Sequence, residues 1–119
     1  MRLRVFVESP PAFERWIAAQ RLPASEPTGA AAEGHRIFAG RACVGCHTIR
    51  GVSVGVLGPD LTHFASRRTF VAGLFPSTVD NVAEWIHDPA RLKPRAKMPR
   101  LGLSDAEARA VAIYLETLK

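Results

Sequence analysis

The residues Cys43-Val44-Gly45-Cys46-His47 hold both cysteines of the chain, and one of its four histidines, in a single short run. Two thiols separated by two residues on a turning backbone can each add to one vinyl group of a single porphyrin. The adjoining imidazole then lies under the ring, where it can bind the iron. A covalent haem c site is the reading this pattern favours, and it commits the chain to wrapping round a large apolar cofactor. Two other readings use the same residues. A zinc site closes with four Cys or His ligands, whereas His35, His63 and His87 are scattered singly. A thioredoxin-like dithiol wants a βαβ setting, but the residues after Cys46 run into a Gly-rich loop. The plainest alternative is a chance pair of buried cysteines.

With 119 residues and 47% apolar content, the chain has enough material for one domain with a core, particularly if a porphyrin forms part of it. The formal charge of +5 would fall to about +3 with two ionised haem propionates. Lys and Arg are spread along the chain without a block, which suits acidic protein partners or plain solubility. No basic stripe interleaved with aromatics is present, so nucleic acid is not an expected partner. The longest uncharged runs, 51–59 and 69–79, fall well short of the ~20 residues a membrane-spanning helix needs. At the start, Met1-Arg2-Leu3-Arg4 is basic, but Glu8, Glu14 and Arg15 interrupt what an export signal would keep apolar. Because bacteria attach haem c outside the cytoplasm, the sequence is expected to be a piece of something longer, joined to a membrane only through its missing parts.

In chain order, residues 2–8 alternate Leu3, Val5 and Val7 against Arg2, Arg4, Phe6 and Glu8, the period of a strand. Ser9-Pro10-Pro11 offers an N-cap and a proline at the first helical position. The following helix carries Phe13, Trp16 and Ile17 on one stripe and ends near Arg21-Leu22. A strand and helix of this size cannot fold alone. Pro23-Ala24-Ser25-Glu26-Pro27 reads as a linker, which makes 1–26 an appendage and 27–119 the main domain. A helix capped by Thr28 then carries Ala30–Ala32, Gly34, Ile37 and Phe38. Gly34 costs about 1 kcal/mol relative to Ala, so it marks either a close helix crossing or an ordinary surface glycine.

After the cysteine motif, residues 51–59 alternate apolar side chains with glycines. That composition suits backbone lying against a flat ring, with a short strand as the competing reading. Thr62 can cap a brief helix through Phe64 and Arg67. Ser77 or Thr78 caps a helix with Val79, Val82, Trp85 and Ile86, which Pro89 stops. Lys93–Pro99 is extended, because two prolines rule out helix there. Ser104-Asp105-Ala106-Glu107 is a capping box for a final helix carrying Ala108, Val111, Ala112, Leu115 and Leu118, with Tyr114 alongside.

If His47 binds iron from one side, the candidates for the other are Met98, His35, His63, His87 and, remotely, Met1. Met98 sits between a lysine and a proline in a stiff loop, a poor place for a core residue, and Met/His ligation is known for cytochromes c. It is the favoured ligand. Such a pair raises the reduction potential and leaves no open position for small molecules. An open iron would instead make the chain a haem enzyme or ligand sensor.

With these residues assembled, the stretch from Thr28 to Lys119 resembles the class I cytochromes c, an all-α fold wrapped round one covalent haem. More narrowly, the chain is similar to the cytochrome c domain at the C-terminus of subunit II in caa-type haem-copper cytochrome c oxidases. The carrying pieces are Cys43–His47, Gly58-Pro59-Asp60-Leu61-Thr62-His63-Phe64, Trp85-Ile86-His87-Asp88-Pro89, Lys97-Met98-Pro99 and the helix ending in Tyr114-Leu115.

The resemblance implies thioethers at Cys43 and Cys46, and His47 and Met98 as axial ligands. The Pro59 carbonyl would accept from the other ring nitrogen of His47. Trp85, Arg50 and Arg67 would face the propionates, and Gly34 and Phe38 would cross the last helix near Tyr114. Met1 through Trp16 is similar to the end of the copper A domain that precedes the cytochrome in such subunits. Residues 1–26 would then be a structural remnant of that domain plus linker, ordered only if they pack on the cytochrome. The remnant lacks the cysteines and histidines of a copper site. The implied function is electron transfer from a donor protein or complex to the copper A centre of the same subunit, on the extracytoplasmic face of the bacterial cell membrane. No catalysis is implied for this domain alone. A free-standing monohaem carrier is the alternative with the same chemistry.

Overall fold

The computed structural model describes residues 5–119. Along the chain it forms α1 (Pro10–Gln20), α2 (Ala30–Gly40), the single-turn α3 (Cys43–Cys46), a hairpin of β1 (Thr48–Ile49) and β2 (Ser53–Val54), and a 3-10 turn (Phe64–Ser66). A second hairpin of β3 (Thr69–Phe70) and β4 (Phe75–Pro76) precedes α4 (Val79–His87), α5 (Pro89–Leu92) and α6 (Asp105–Leu115). Both hairpins are antiparallel, pairing Thr48 with Val54 and Thr69 with Pro76. The strands are two residues long, and the fold is all-α in character.

The core lies where α6 crosses α2 and packs on α4. Its apolar stripe, Ala108, Val111, Ala112, Tyr114 and Leu115, is buried against Ile37 and Phe38 of α2 and Val82 and Ile86 of α4. Gly34 explains how close the crossing is. A Cβ there would lie 2.6 Å from the Ala110 carbonyl carbon and 2.8 Å from the Tyr114 Cβ. The ring of Phe38 packs edge-on to Tyr114 at 6.0 Å. The capping box at Ser104 forms as expected, with the Glu107 amide donating to Ser104 Oγ and the Ser104 amide donating to the Glu107 carboxylate.

Several local expectations are corrected. Residues 5–8 of the expected strand join no strand pairing among the described residues, and residues 1–4 lie outside them. Ser9 makes no side-chain cap on α1. Gly29, at φ 56°, takes the N-cap position of α2 in place of Thr28, a backbone conformation glycine adopts without strain. Thr62 does not cap the 3-10 turn; its hydroxyl accepts from the Arg50 amide at 2.9 Å. Of the two candidates before α4, Thr78 is the cap, accepting from the Asn81 amide. Ser77 instead donates to Glu116 at 2.8 Å. The β3–β4 hairpin has no counterpart among the sequence expectations. Its turn places Val71, Ala72 and Gly73 successively at positive φ.

Candidate haem site

The elements around the core leave a cavity of about 1650 Å³, larger than the ~300–1,000 Å³ typical of small-ligand pockets. Cys46, His47, Leu57, Gly58, Pro59 and Leu61 line one part of it. Phe64, Phe70, Val82, Trp85, Ile86 and Leu115 supply apolar walls, and Lys97, Met98 and Pro99 supply another part. A large, mostly apolar hollow beside two free cysteine thiols and an imidazole suits a macrocycle.

His47 is held by the chain in one tautomer. Its Nδ1 lies 2.9 Å from the Pro59 carbonyl oxygen. A carbonyl only accepts, so Nδ1 carries the proton and donates, which leaves the Nε2 lone pair free for a metal. Gly58 makes this possible, since a Cβ there would stand 2.5 Å from the His47 Cε1 and 2.7 Å from its Nδ1. Gly55 packs likewise on the backbone of Cys46, where a Cβ would lie 2.6 Å from the carbonyl carbon. These two glycines of the 51–59 loop therefore serve close approach to the haem motif itself. The Gly58 amide donates to the Cys46 carbonyl at 2.7 Å, and the Ser53 hydroxyl donates to the His47 carbonyl at 2.7 Å. Together these contacts hold the peptide units on either side of His47.

Cys43 is buried on the first turn of α3 and does not itself line the cavity. Burial pushes its thiol pKa up. Met98 is partly buried and lines the same cavity as His47. The other histidines do not line it. His63 donates from Nδ1 to the Lys119 carbonyl at 2.9 Å, His87 lies 3.2 Å from the Asp105 carboxylate, and His35 packs edge-on to Tyr114 at 5.2 Å. Met1 lies outside the described residues.

Trp85 lines the cavity and meets Phe70 edge-on at 6.3 Å. Arg67 also lines it, and donates to the Asp60 carbonyl at 2.7 Å. Partial burial opposes ionisation of Asp60, but hydrogen bonds from Thr62 and the charges of Arg50 and Arg67 outweigh it and hold the carboxyl below its usual range. Arg50 is not among the residues that line the cavity, and its Nη1 donates at 3.1 Å to both the Gln20 and Leu22 carbonyls at the end of α1. The carbonyls that end a helix lack intrahelical partners, so one nitrogen of this guanidinium serves α1. Phe70 and Val71 are cavity residues that sequence reasoning missed, their only signal being the uncharged run 69–79 with no helical period. Phe64 stands in the run Gly58–Phe64, but that run gives it no place in the cavity.

The cytochrome c family model matches residues 31–119. Cytochrome c oxidase subunit 2 of Alkalihalophilus pseudofirmus is 31% identical over 90% of this chain and 31% of its own length. The Bacillus subtilis protein of the same name is 30% identical over 100% of this chain and 35% of its own length. A nitric oxide reductase subunit of Paracoccus denitrificans is 30% identical over 76% of this chain and 60% of its own length. The chain thus spans about a third of the length of the oxidase subunits it matches. Family membership implies one covalent haem c, and the free thiols of Cys43 and Cys46 fit its attachment. With a matching family model over most of its length, and a built cavity beside its Cys-x-x-Cys-His motif, this chain belongs to the cytochrome c family.

Proposed function

We propose that this chain is the cytochrome c domain of subunit II of a caa-type haem-copper oxidase, with residues 1–26 the remnant of the preceding copper A domain and 27–119 the cytochrome. It takes an electron from a donor protein and passes it to copper A in the same subunit, on the extracytoplasmic face of the bacterial membrane. The observation that carries the reading is that His47, with Nδ1 committed to Pro59, and Met98 line one apolar cavity. Among the described residues no helix is long and apolar enough to cross a membrane, so attachment to the oxidase would come from other parts of the full-length protein.

Bound here, the haem supplies an iron that takes up and gives back one electron. Cys43 and Cys46 would tether it, and His47 and Met98 would ligate it. Phe64, Phe70, Val82 and Ile86 would keep water away, and Trp85 and Arg67, which line the same cavity, would face the propionates. With His47 and Met98 both holding the iron, no site would be left for bond-making on a substrate. The protein's own work is orientation and low reorganisation, in keeping with outer-sphere transfer.

The test is rapid mixing of the reduced chain with a purified copper A domain from an oxidase of this type. Haem oxidation that saturates with copper A concentration is expected. Absence of transfer, with a normal haem spectrum, would favour the second reading, a carrier for another acceptor. The similarity to a protein of nitric oxide reductase keeps that reading in view.

A further inference from the structure

Helix α1 is amphipathic, yet it buries none of its residues against the protein. Two residues of its apolar stripe, Phe13 and Trp16, line the haem cavity with Gln20, together with Phe6 and Glu8 from the preceding extended segment. Phe13 and Trp16 stack on each other at 5.9 Å with planes 20° apart, and they remain 47% and 53% exposed. So a rigid aromatic pair stands at the cavity wall with no side-chain core behind it.

The segment is fastened at both ends to loops that frame the cavity. At its C-terminal end the Arg50 guanidinium donates to the Gln20 and Leu22 carbonyls, and the Ala24 amide donates to the Arg50 carbonyl at 3.0 Å. A cation at a helix C-terminus also meets the negative end of the helix dipole. At the other end the Arg68 guanidinium lies 5.1 Å from the Phe6 ring centre, within cation-π range. Arg50 follows β1, directly after the haem motif, and Arg68 precedes β3.

We propose that residues 5–22 are a haem-binding strap, with Phe13 and Trp16 packing on the porphyrin and Arg50 acting as the buckle that holds α1 across the cavity. This rests on the cavity being the haem site, and it gives the N-terminal appendage a role in the cytochrome itself. A flat ring is the partner that an aromatic pair of this kind can cover without a further core. The strap excludes water from one side of the haem, which disfavours the more highly charged ferric state. A partner approaching over this side meets the outer faces of Phe13 and Trp16 before the porphyrin.

The test is proton NMR of the reduced, diamagnetic holoprotein, with the Trp16 ring assigned by comparison with W16F. The strap predicts Trp16 protons displaced from free-tryptophan positions by the porphyrin ring current, and loss of that displacement in R50Q with the α2 and α6 amide signals unmoved. Midpoint potentials of W16A and W16F form the second arm. W16A should fall below wild type, and W16F should stay with it. Trp16 protons at free-tryptophan positions, or a W16A potential equal to wild type, would overturn the strap. If the Met/His optical spectrum is intact in that case, the haem reading stands alone; if the spectrum shows no bound haem, that reading has failed first.

Discussion

Replacing Gly34 by Ala tests whether the α2–α6 crossing is the structural centre of this cytochrome. The new methyl would stand 2.6 Å from the Ala110 carbonyl carbon and 2.8 Å from the Tyr114 Cβ, and closer still to the Ala110 carbonyl oxygen. Comfortable carbon contacts lie at about 3.5–4.0 Å, so the helices must part by roughly 1 Å. None of these neighbours can rotate away, because all are backbone or Cβ atoms. Overpacking of this kind costs about 1–3 kcal/mol, with further loss as Ile37, Phe38 and Val111 loosen. Alanine's better helix propensity returns about 1 kcal/mol. The net expectation is a loss of about 1–2 kcal/mol, a fall of roughly 4–16 °C in Tm at about 4–8 °C per kcal/mol. Gly40, on the same helix, has nothing within 4 Å of its Cβ direction, so G40A should be neutral or slightly stabilising. Guanidinium unfolding of the holoprotein, followed by far-ultraviolet circular dichroism in one redox state, compares the two. Equal stability of G34A and wild type, or shifts of the same sign in both variants, would refute the reasoning.

G58A should disturb the iron environment while leaving the helices intact, because its methyl would fall 2.5 Å from the His47 Cε1 and displace the imidazole from Pro59. An altered midpoint potential is expected, and an unchanged one would count against the His47–Pro59 contact. Tyr114 is fully buried with its hydroxyl unpartnered, and burial pushes its pKa up to about 12. Since the folded value lies above the unfolded value of about 10, its contribution is intact below pH 10 and is lost as pH rises towards 12. That loss is on the order of 2–3 kcal/mol. Y114F should therefore unfold less readily than wild type at pH 11.5, by a larger margin than at pH 9, as read from guanidinium midpoints at the two values.

Much of the site was legible because its chemistry is local in sequence. Cys43, Cys46 and His47 are neighbours, and their spacing carries the cofactor in itself. The capping box at Ser104 and the apolar stripe of α6 were legible for the same reason. Gly34 could be read only as an alternative, since whether a helix glycine is pressed upon depends on which helix crosses it. Arg50 shows the opposite limit. A sequence places an arginine near a haem motif but cannot say that the end of α1, far back in the chain, will claim its guanidinium. The β3–β4 hairpin escaped because strands of two residues leave no alternation to detect, and its turn uses Val71 and Ala72 at positive φ, where residue type gives little warning. Residues 5–8 of the expected strand form no ladder among the described residues: alternation marks a chain able to pair, while a partner strand has to come from elsewhere in the fold.

The proposed function turns on His47 and Met98 together closing the iron's coordination. The direct measurement is the ferric optical spectrum of wild type and M98A, followed by carbon monoxide addition to each after anaerobic reduction. A sulfur-to-iron charge-transfer band and no ready carbon monoxide binding are expected in wild type, with the band lost and carbon monoxide bound in M98A. A wild-type protein that is high-spin and binds carbon monoxide freely, or an M98A spectrum identical to wild type, would contradict it.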